Sequence, residues 1–336
     1  MASSCDLATR HLPPLISVGL PVFNGGEFIA ATIDSLLNQT CTRWTLLVSD
    51  NGSQDDTVDI VTKYIARDDR IRLVRQIENK GAIANFNFVA TNAHTPYFMW
   101  LAADDILEKS FIESCLFRLS KNPEIGMAFC CIRNIDHLDR EVRTYPHLVK
   151  LSGSSSFLTV LRFLLSPEIM GKANLIYSVY RIAVCKNALR RSPFNNAWGT
   201  DMSFVLGALV GGGGIDISQD VLFNKRHVVP GDAVEKVIPV HIPTAIQEQS
   251  CPLAFFPEYM AATLEAVEGT RFWLLAWLVL TYRHYQLKKI EEARLLDEAK
   301  TFKINNKPPE KGKREGPWMA RTNKLLRKLK LKKAAS

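Results

Sequence analysis

The sequence predicts an α/β fold, a mostly parallel central sheet flanked by helices with a helical C-terminal extension. Three observations predict it. Apolar runs of strand length alternate three times with amphipathic stretches of helical period, and a fourth strand-like run follows at Tyr97–Leu101. The connections between them are short, as in strand–helix units of a parallel sheet. Each run ends in polar turn formers or small residues. That arrangement puts the loops after the strands on one edge, where open α/β sheets bind ligands.

Leu15–Phe23, introduced by Pro13-Pro14, reads as the first buried strand and stops at the turn Asn24-Gly25-Gly26. From Glu27 to Asn38, Phe28, Ile29, Ile33, Leu36 and Leu37 recur at helical spacing. Trp44–Ser49 is a second strand. It runs into Asp50-Asn51-Gly52-Ser53-Gln54-Asp55-Asp56-Thr57, rich in turn formers and helix caps, and a helix follows from Val58 to Ala66. Ile71–Gln76 is a third strand, broken by Glu78-Asn79-Lys80-Gly81, and a third helix runs from Ala82 to Asn92. The fourth strand ends in Ala102-Ala103 and two adjacent carboxylates, Asp104 and Asp105.

Adjacent carboxylates repel, and a divalent cation is one reason to place them together; magnesium takes one or two carboxylates plus substrate phosphates. The alternative is a helix start, with an Asp cap leading into Ile106-Leu107-Glu108. The common edge would gather Asp50, Asn51, Asn79, Lys80, Asp104 and Asp105, a set suited to a nucleotide with a metal. Asn24-Gly25-Gly26 does not fit Gly-x-Gly-x-x-Gly, and no Gly-Lys-Ser/Thr loop is present, which sets aside Rossmann and P-loop sites.

Composition is that of an ordinary globular chain of 336 residues, 47% hydrophobic and 23% charged. The net charge of +8 is concentrated: from Lys303 onward only Glu310 and Glu315 oppose the Lys and Arg residues. Seven cysteines are an odd number without framework spacing, and Cys130-Cys131 lies in an apolar run, which fits buried thiols in a reducing compartment. Met1–Leu15 lacks a signal-peptide core, and the longest apolar run, Phe272–Leu280, is too short to cross a membrane and reads as a packing helix. The expected location is the cytoplasm, free or peripheral on a membrane.

In the second half, Ile125–Ile132 is a core strand, Ile135–Val142 turns into another, and Leu151–Leu165 has helical spacing. Gly211–Gly214 reads as a flexible turn after a helix over Met202–Leu209. Asp216–Phe223 is a closing strand followed by Asn224-Lys225-Arg226-His227. Val228–Pro257, with five prolines, is a loop or lid, and Glu258–Ala299 is mainly helical. Met319–Lys333 places Leu325, Leu326 and Leu329 among Lys and Arg residues, either a solvated tail or a helix for an anionic membrane surface. Apart from Trp318 it has no aromatic platform, so nucleic acid is not an expected partner.

Pro21-Val22-Phe23-Asn24-Gly25-Gly26-Glu27-Phe28-Ile29, Ser35-Leu36-Leu37-Asn38-Gln39-Thr40, the segment Val48–Thr57, Asn79-Lys80-Gly81 and Asp104-Asp105 together resemble a family 2 glycosyltransferase, in order and spacing. The likeness covers the first two-fifths of the chain and continues more weakly through Trp198-Gly199-Thr200-Asp201. It implies a GT-A fold and a nucleotide-diphospho-sugar donor. By position, Pro21, Val22, Phe23, Asn24 and Glu27 would contact base and ribose, and Asp50 would accept hydrogen bonds from the nucleoside, with Asn51 and Asn79 beside it. Asp50 also reads as an Asx turn. Lys80 would lie by the diphosphate, or in solvent. Asp104 would hold Mg²⁺ or Mn²⁺ with Asp105 assisting, and Asp201 would be the base, or a helix cap. Lys172, Asn174 and Arg181 would contact the acceptor or a phosphate, Trp198 and Arg226 would lie on the acceptor side, and Arg226 with His227 would help to hold the diphosphate or metal, or stand in solvent.

Two positions depart from the family: Ala102 stands where an acid is usual, and Phe86 where an Arg is usual. The implied function is inverting transfer of a sugar to a hydroxyl of a glycan or lipid-linked acceptor, in surface polysaccharide biosynthesis. The rivals are a degenerate nucleotide-sugar-binding module and a nucleotidyltransferase. Domain boundaries follow as an N-terminal tail (1–14), a GT-A domain (15–230), a loop and helical extension (231–302) and a basic linker and tail (303–336).

Overall fold

The structure, a computed structural model, describes residues 12–154, 156–166, 171–195, 199–226 and 256–305. The chain divides into two compact units, one up to Val279 and one from Leu280. Trp198, His227, most of the proline-rich segment and the basic tail lie outside the described residues.

The first unit is built on β1 (Ile16–Val22), β2 (Trp44–Asp50), β3 (Ile71–Arg75) and β4 (Tyr97–Trp100), all parallel, in the order β3-β2-β1-β4. The helices between them are α1 (Ile29–Leu37), α2 (Thr57–Ile65) and α3 (Ala82–Thr91), the three strand–helix units that the periodicity predicts. Strand β1 is buried along its whole length, as a central parallel strand covered on both faces must be. At Gly19 a Cβ would come within 2.7 Å of Val89, so α3 packs directly on the β1 backbone.

Beyond β4 the sheet becomes mixed. The chain continues through β5 (Ile106–Leu107), α4 (Phe111–Lys121), β6 (Met127–Ile135), β7 (Glu141–Thr144), a 3₁₀ turn at Pro146–Leu151 and α5 (Ser156–Leu165). A second 3₁₀ turn at Lys172–Tyr177 leads into β8 (Val179–Arg181), α6 (Ile182–Arg191), α7 (Thr200–Gly212) and β9 (Ile215–Arg226). Strand β8 lies antiparallel between β4 and β6, β9 runs parallel to β6, and β5 pairs antiparallel with β9. Two helices follow, α8 (Phe256–Ala266), which packs on α7, and α9 (Trp273–Asn305).

Three expectations change. The acidic pair is followed by strand β5, and α4 starts only at Phe111, so Asp104 and Asp105 cap no helix. Strand β9 runs on to Arg226 because its end pairs with both β5 and β6, which places Lys225 and Arg226 inside the sheet. The Phe272–Leu280 run is buried on one face only: Phe272 and Ala276 are covered, while Trp273, Leu274, Trp277 and Leu278 are exposed. The four-glycine run also has a packing reason. Gly211 and Gly212 belong to α7 rather than to the turn read from sequence, a Cβ on Gly212 would lie 2.6 Å from the Val184 side chain, and Gly213 ends the helix at φ +92°.

Among the described residues Cys115, Cys130, Cys131 and Cys185 are buried, Cys41 is half-buried, and all five are free thiols. Trp100 anchors the core behind the site. Its ring meets Phe98, Tyr180, Phe194 and Phe204 edge-on, and its indole N–H donates to the Phe86 carbonyl at 3.0 Å.

Candidate active site at the sheet edge

The loops after β1, β2 and β3 are sewn together by side chains that the motifs supply. Asn51 donates to Asn79 Oδ1 at 2.8 Å and to the Gly81 carbonyl at 3.1 Å, and accepts the Lys80 N–H at 3.0 Å. Asn85, on α3, donates to the Ser49 carbonyl at 2.8 Å and is buried. Asn24 sits at φ 52°, accepts the Gln54 N–H and donates its own N–H to Ser53 Oγ. Asp50 is fully buried; its carboxylate accepts the Ser53 N–H at 3.1 Å, three residues on rather than the two of an Asx turn, and lies 3.7 Å from Arg75 Nε. Asn51 and Asn79 are therefore engaged with each other and with backbone. The side chains of Pro21 and Val22 are buried in β1, whereas Phe23, Asn24, Glu27 and Lys80 stand exposed at the edge.

The acidic pair splits into two environments. Asp104 is half-buried. Asp105 is 1% exposed; its Oδ1 accepts the Arg226 N–H at 2.9 Å, and its Oδ2 has no hydrogen-bond partner among the described residues. Burial, and after it the neighbouring Asp104 charge, pushes the Asp105 carboxyl up to about 8.

Arg226 holds this loop in place. Its guanidinium donates to the Asp104 carbonyl at 3.1 Å, the Asp136 carbonyl at 2.7 Å and Asp139 Oδ1 at 2.5 Å, and it lies over the Phe28 ring. It is 5% exposed and faces the protein, which corrects its assignment to the acceptor. Lys172 is corrected likewise. It is fully buried, and its ammonium donates to the Phe163 and Ser166 carbonyls at 3.1 and 2.8 Å, the end of α5. Arg181 does the same for α4, donating to the Leu119, Asn122 and Ile125 carbonyls. The physical reason is shared: the last turn of a helix leaves carbonyls without partners, and cations satisfy them.

Asp201 lies in the first turn of α7, after Gly199 at φ +78°. A Cβ on Gly199 would fall 2.6 Å from the Tyr259 ring, so the turn that presents Asp201 requires glycine. The Asp201 carboxylate accepts the Met202 N–H at 2.7 Å. Burial raises its carboxyl above the usual range, opposed by that hydrogen bond and by the charges of Lys225 and Lys172. It opens on a cavity of about 310 Å³ whose walls are mostly apolar, with Ile83, Phe86, Tyr177 and Phe194 among them and Lys225 as the other charged group.

Lys225 was not among the residues singled out from sequence. Its ammonium donates to Asn174 Oδ1 at 3.0 Å and lies 5.2 Å from the centre of the Tyr177 ring. Its charge acts on both Asp105 and Asp201. Burial and then the charges of Asp105, Asp104 and Asp201 hold the Tyr177 hydroxyl well above its ordinary value. The acids of the β4 edge and of α7, remote in sequence, thus converge around Tyr177 and Lys225. Strand alternation was the missed signal: with Arg226 turned inward, its neighbour must face the other way.

Among the described residues no cluster of three or more His, Cys, Asp or Glu could hold an ion by itself. Asp104, half-buried at the edge, suits an ion whose other ligands are phosphate oxygens and water. Asp105 does not fit as its second ligand, being buried and bound to the Arg226 backbone.

The Glycosyl transferase family 2 profile matches residues 17–198. A chondroitin synthase of Escherichia coli is 33% identical over 131 residues, which are 39% of this chain and 19% of that protein, so the match spans about a fifth of the relative. Among solved structures, residues 1–349 of S. aureus TarS in complex with UDP-GlcNAc superpose with a TM-score of 0.59 at 17% identity, covering 79% of this chain and 70% of that one. The mannosyltransferase PcManGT of Pyrobaculum calidifontis, in complex with GDP-Man and Mn²⁺, gives 0.53 at 15% identity, covering 89% and 78%. At those identities the likeness is one of fold, the GT-A architecture.

Proposed function

The chain belongs to glycosyl transferase family 2, and from that premise we propose that it is an inverting glycosyltransferase, moving a sugar from a nucleotide-diphosphate donor to a hydroxyl of a glycan or lipid-linked acceptor in polysaccharide biosynthesis. The observation that carries this reading is the placement of Asp201, a buried carboxylate opening on a cavity that also holds Lys225. Its raised carboxyl suits a general base, which works best with a pKa drawn toward the operating pH.

In the proposed reaction Asp201 takes the proton of the acceptor hydroxyl as that oxygen attacks the anomeric carbon. The bond to the diphosphate breaks in the same displacement, which inverts the configuration. Phe86 and Phe194 offer an apolar wall against which the C–H face of a sugar ring packs. Phe23, Asn24, Glu27, Asp50 and Lys80 form the donor side, with Lys80 free to reach the diphosphate from the surface. Mg²⁺ or Mn²⁺, held through Asp104 and the donor's own phosphate oxygens, would neutralise charge on the leaving group. The likeness to a chondroitin synthase supports the polymer class. UDP-GlcNAc and GDP-Man in the structural neighbours support a nucleotide-sugar donor.

Calorimetry with UDP, GDP, dTDP and CDP, with and without Mn²⁺ or Mg²⁺, tests the donor side. The expected result is that one nucleotide binds, the cation tightens it, and Asp104→Ala removes only the cation-dependent part. If none of the four binds, the donor site is misplaced. Ala102 and Phe86 motivate the rival of a degenerate binding module; slow donor hydrolysis by the native chain is expected of the enzyme and not of the module.

Lys225 bears on pH dependence. Its positive charge favours ionised Asp201, so Lys225→Met is expected to move the acid limb of the kcat/KM profile to higher pH. An unmoved limb would show that the Lys225 charge does not reach the base.

A further inference from the structure

We infer that the face formed by α5 and the start of α9 docks on a lipid surface bearing anionic headgroups. The inference is independent of the sugar-transfer reading, because it uses none of the residues placed in that site.

At the start of α9, Phe272 and Ala276 face the protein, while two i,i+4 pairs face outward. Trp273 and Trp277 are 42% and 40% exposed, and Leu274 and Leu278 are 59% and 52% exposed. On α5, Phe157 and Leu158 are exposed as well. The Phe157 ring stacks on Phe272 with centroids 6.2 Å apart, which joins the two helices into one surface. Single exposed hydrophobic residues are ordinary, but a contiguous patch of this kind marks an interaction site.

The chemistry of the patch selects the partner. Two tryptophans, each with an apolar body and one N–H, are the residues enriched where hydrocarbon meets headgroups. Exposed Arg271 directly precedes them, with its guanidinium over the Phe272 ring, and exposed Arg162 lies on α5. The chain after the described part of α9, residues 306–336, carries Lys307, Lys311, Lys313, Arg314 and a further run of Lys and Arg, against Glu310 and Glu315. Arg271 and Arg162 beside the apolar face complement anionic headgroups, and the residues that follow α9 in sequence add to the net positive charge. A face covered by a second copy of the chain would need no such excess of positive charge. No described helix is long and apolar enough to cross a membrane.

Flotation of the full chain with phosphatidylcholine vesicles, with and without phosphatidylglycerol, tests this. The expected result is binding to the anionic vesicles, weakened by salt. The double variant Trp273→Ser/Trp277→Ser should partition on the order of tenfold less, and so should Leu274→Asp, with unfolding midpoints unchanged. Leu274 is the most exposed of the group, so its variant keeps the test informative if the double variant folds poorly. Failure of the native chain to float with anionic vesicles overturns the inference. Native-like partition of both variants does the same, since the basic segment alone would then suffice. A native dimer in sedimentation that becomes monomeric in both variants also overturns it, in favour of a second copy on this face.

Discussion

Asp201→Asn is expected to lower sugar transfer by roughly 10²- to 10⁴-fold while nucleotide affinity stays unchanged. Asparagine has the same shape and keeps an oxygen for the Met202 N–H, so the start of α7 survives. What it lacks is a lone pair basic enough to take the acceptor's proton. The folded state binds a proton at Asp201 more tightly than the unfolded chain does, because burial raises its carboxyl. Native stability therefore falls as pH rises from the unfolded carboxylate range up to the raised folded value, and levels off above it. The variant removes that slope. Denaturant unfolding at several pH values, beside turnover and calorimetry, separates the two effects. Intact turnover in a folded variant that still binds nucleotide would sink the assignment of the base.

The raised Asp201 carboxyl and the raised Tyr177 hydroxyl share a cause. That cause is burial; the charges of Asp105, Asp104 and Asp201 add to it at Tyr177, while half-buried Lys225 opposes it at Asp201. A site with the acids of β4 on one side and Asp201 on the other can separate two tasks. One side meets the charge of the leaving diphosphate, and the other receives the acceptor's proton. Asp104 and Asp105 divide in the same manner: the half-buried carboxylate is placed for a cation, and the buried one holds the Arg226 backbone.

Much of the first half was legible in the sequence because it is written in local periods. The helix read over Glu27–Asn38 forms as Ile29–Leu37, and the strand read over Trp44–Ser49 forms as Trp44–Asp50. The loops after the strands do meet, with Asn51 bridging to Asn79 as a physical link between two motifs. What stayed hidden depends on partners far away in sequence. Strand β5 is two residues long and exists through its pairing with β9. Lys172, Arg181 and Arg226 look like surface cations until the carbonyls that they serve are brought to them by folding. Lys225 was masked by its neighbours for the same reason. In the Phe272–Leu280 run, hydrophobicity states what each side chain prefers and not what covers it, so the exposed Trp pair was unreadable.

Arg226 is where the two readings of a cation differ most in outcome. A residue touching the acceptor would, when replaced, raise the acceptor KM and leave stability alone. The guanidinium instead donates to the Asp104 and Asp136 carbonyls from a position that is 5% exposed. Its contact with Asp139 contributes little, since that carboxylate is 65% exposed and solvent-screened. Arg226→Met removes the donors and is expected to cost roughly 3 kcal/mol, the order expected for two hydrogen bonds from a charged group. Arg226→Lys keeps the charge but not the planar fork, and a single ammonium cannot reach carbonyls on both the β4 loop and the turn after β6. It should fall between the native chain and Arg226→Met in unfolding free energy. Because the Asp104 carbonyl loses its anchor, the cation-dependent part of nucleotide binding should weaken in parallel with stability across the series. A series in which acceptor KM rises while the unfolding midpoint holds would return Arg226 to the acceptor. A series in which stability and nucleotide affinity fall together would fix it as the strut of the acidic loop.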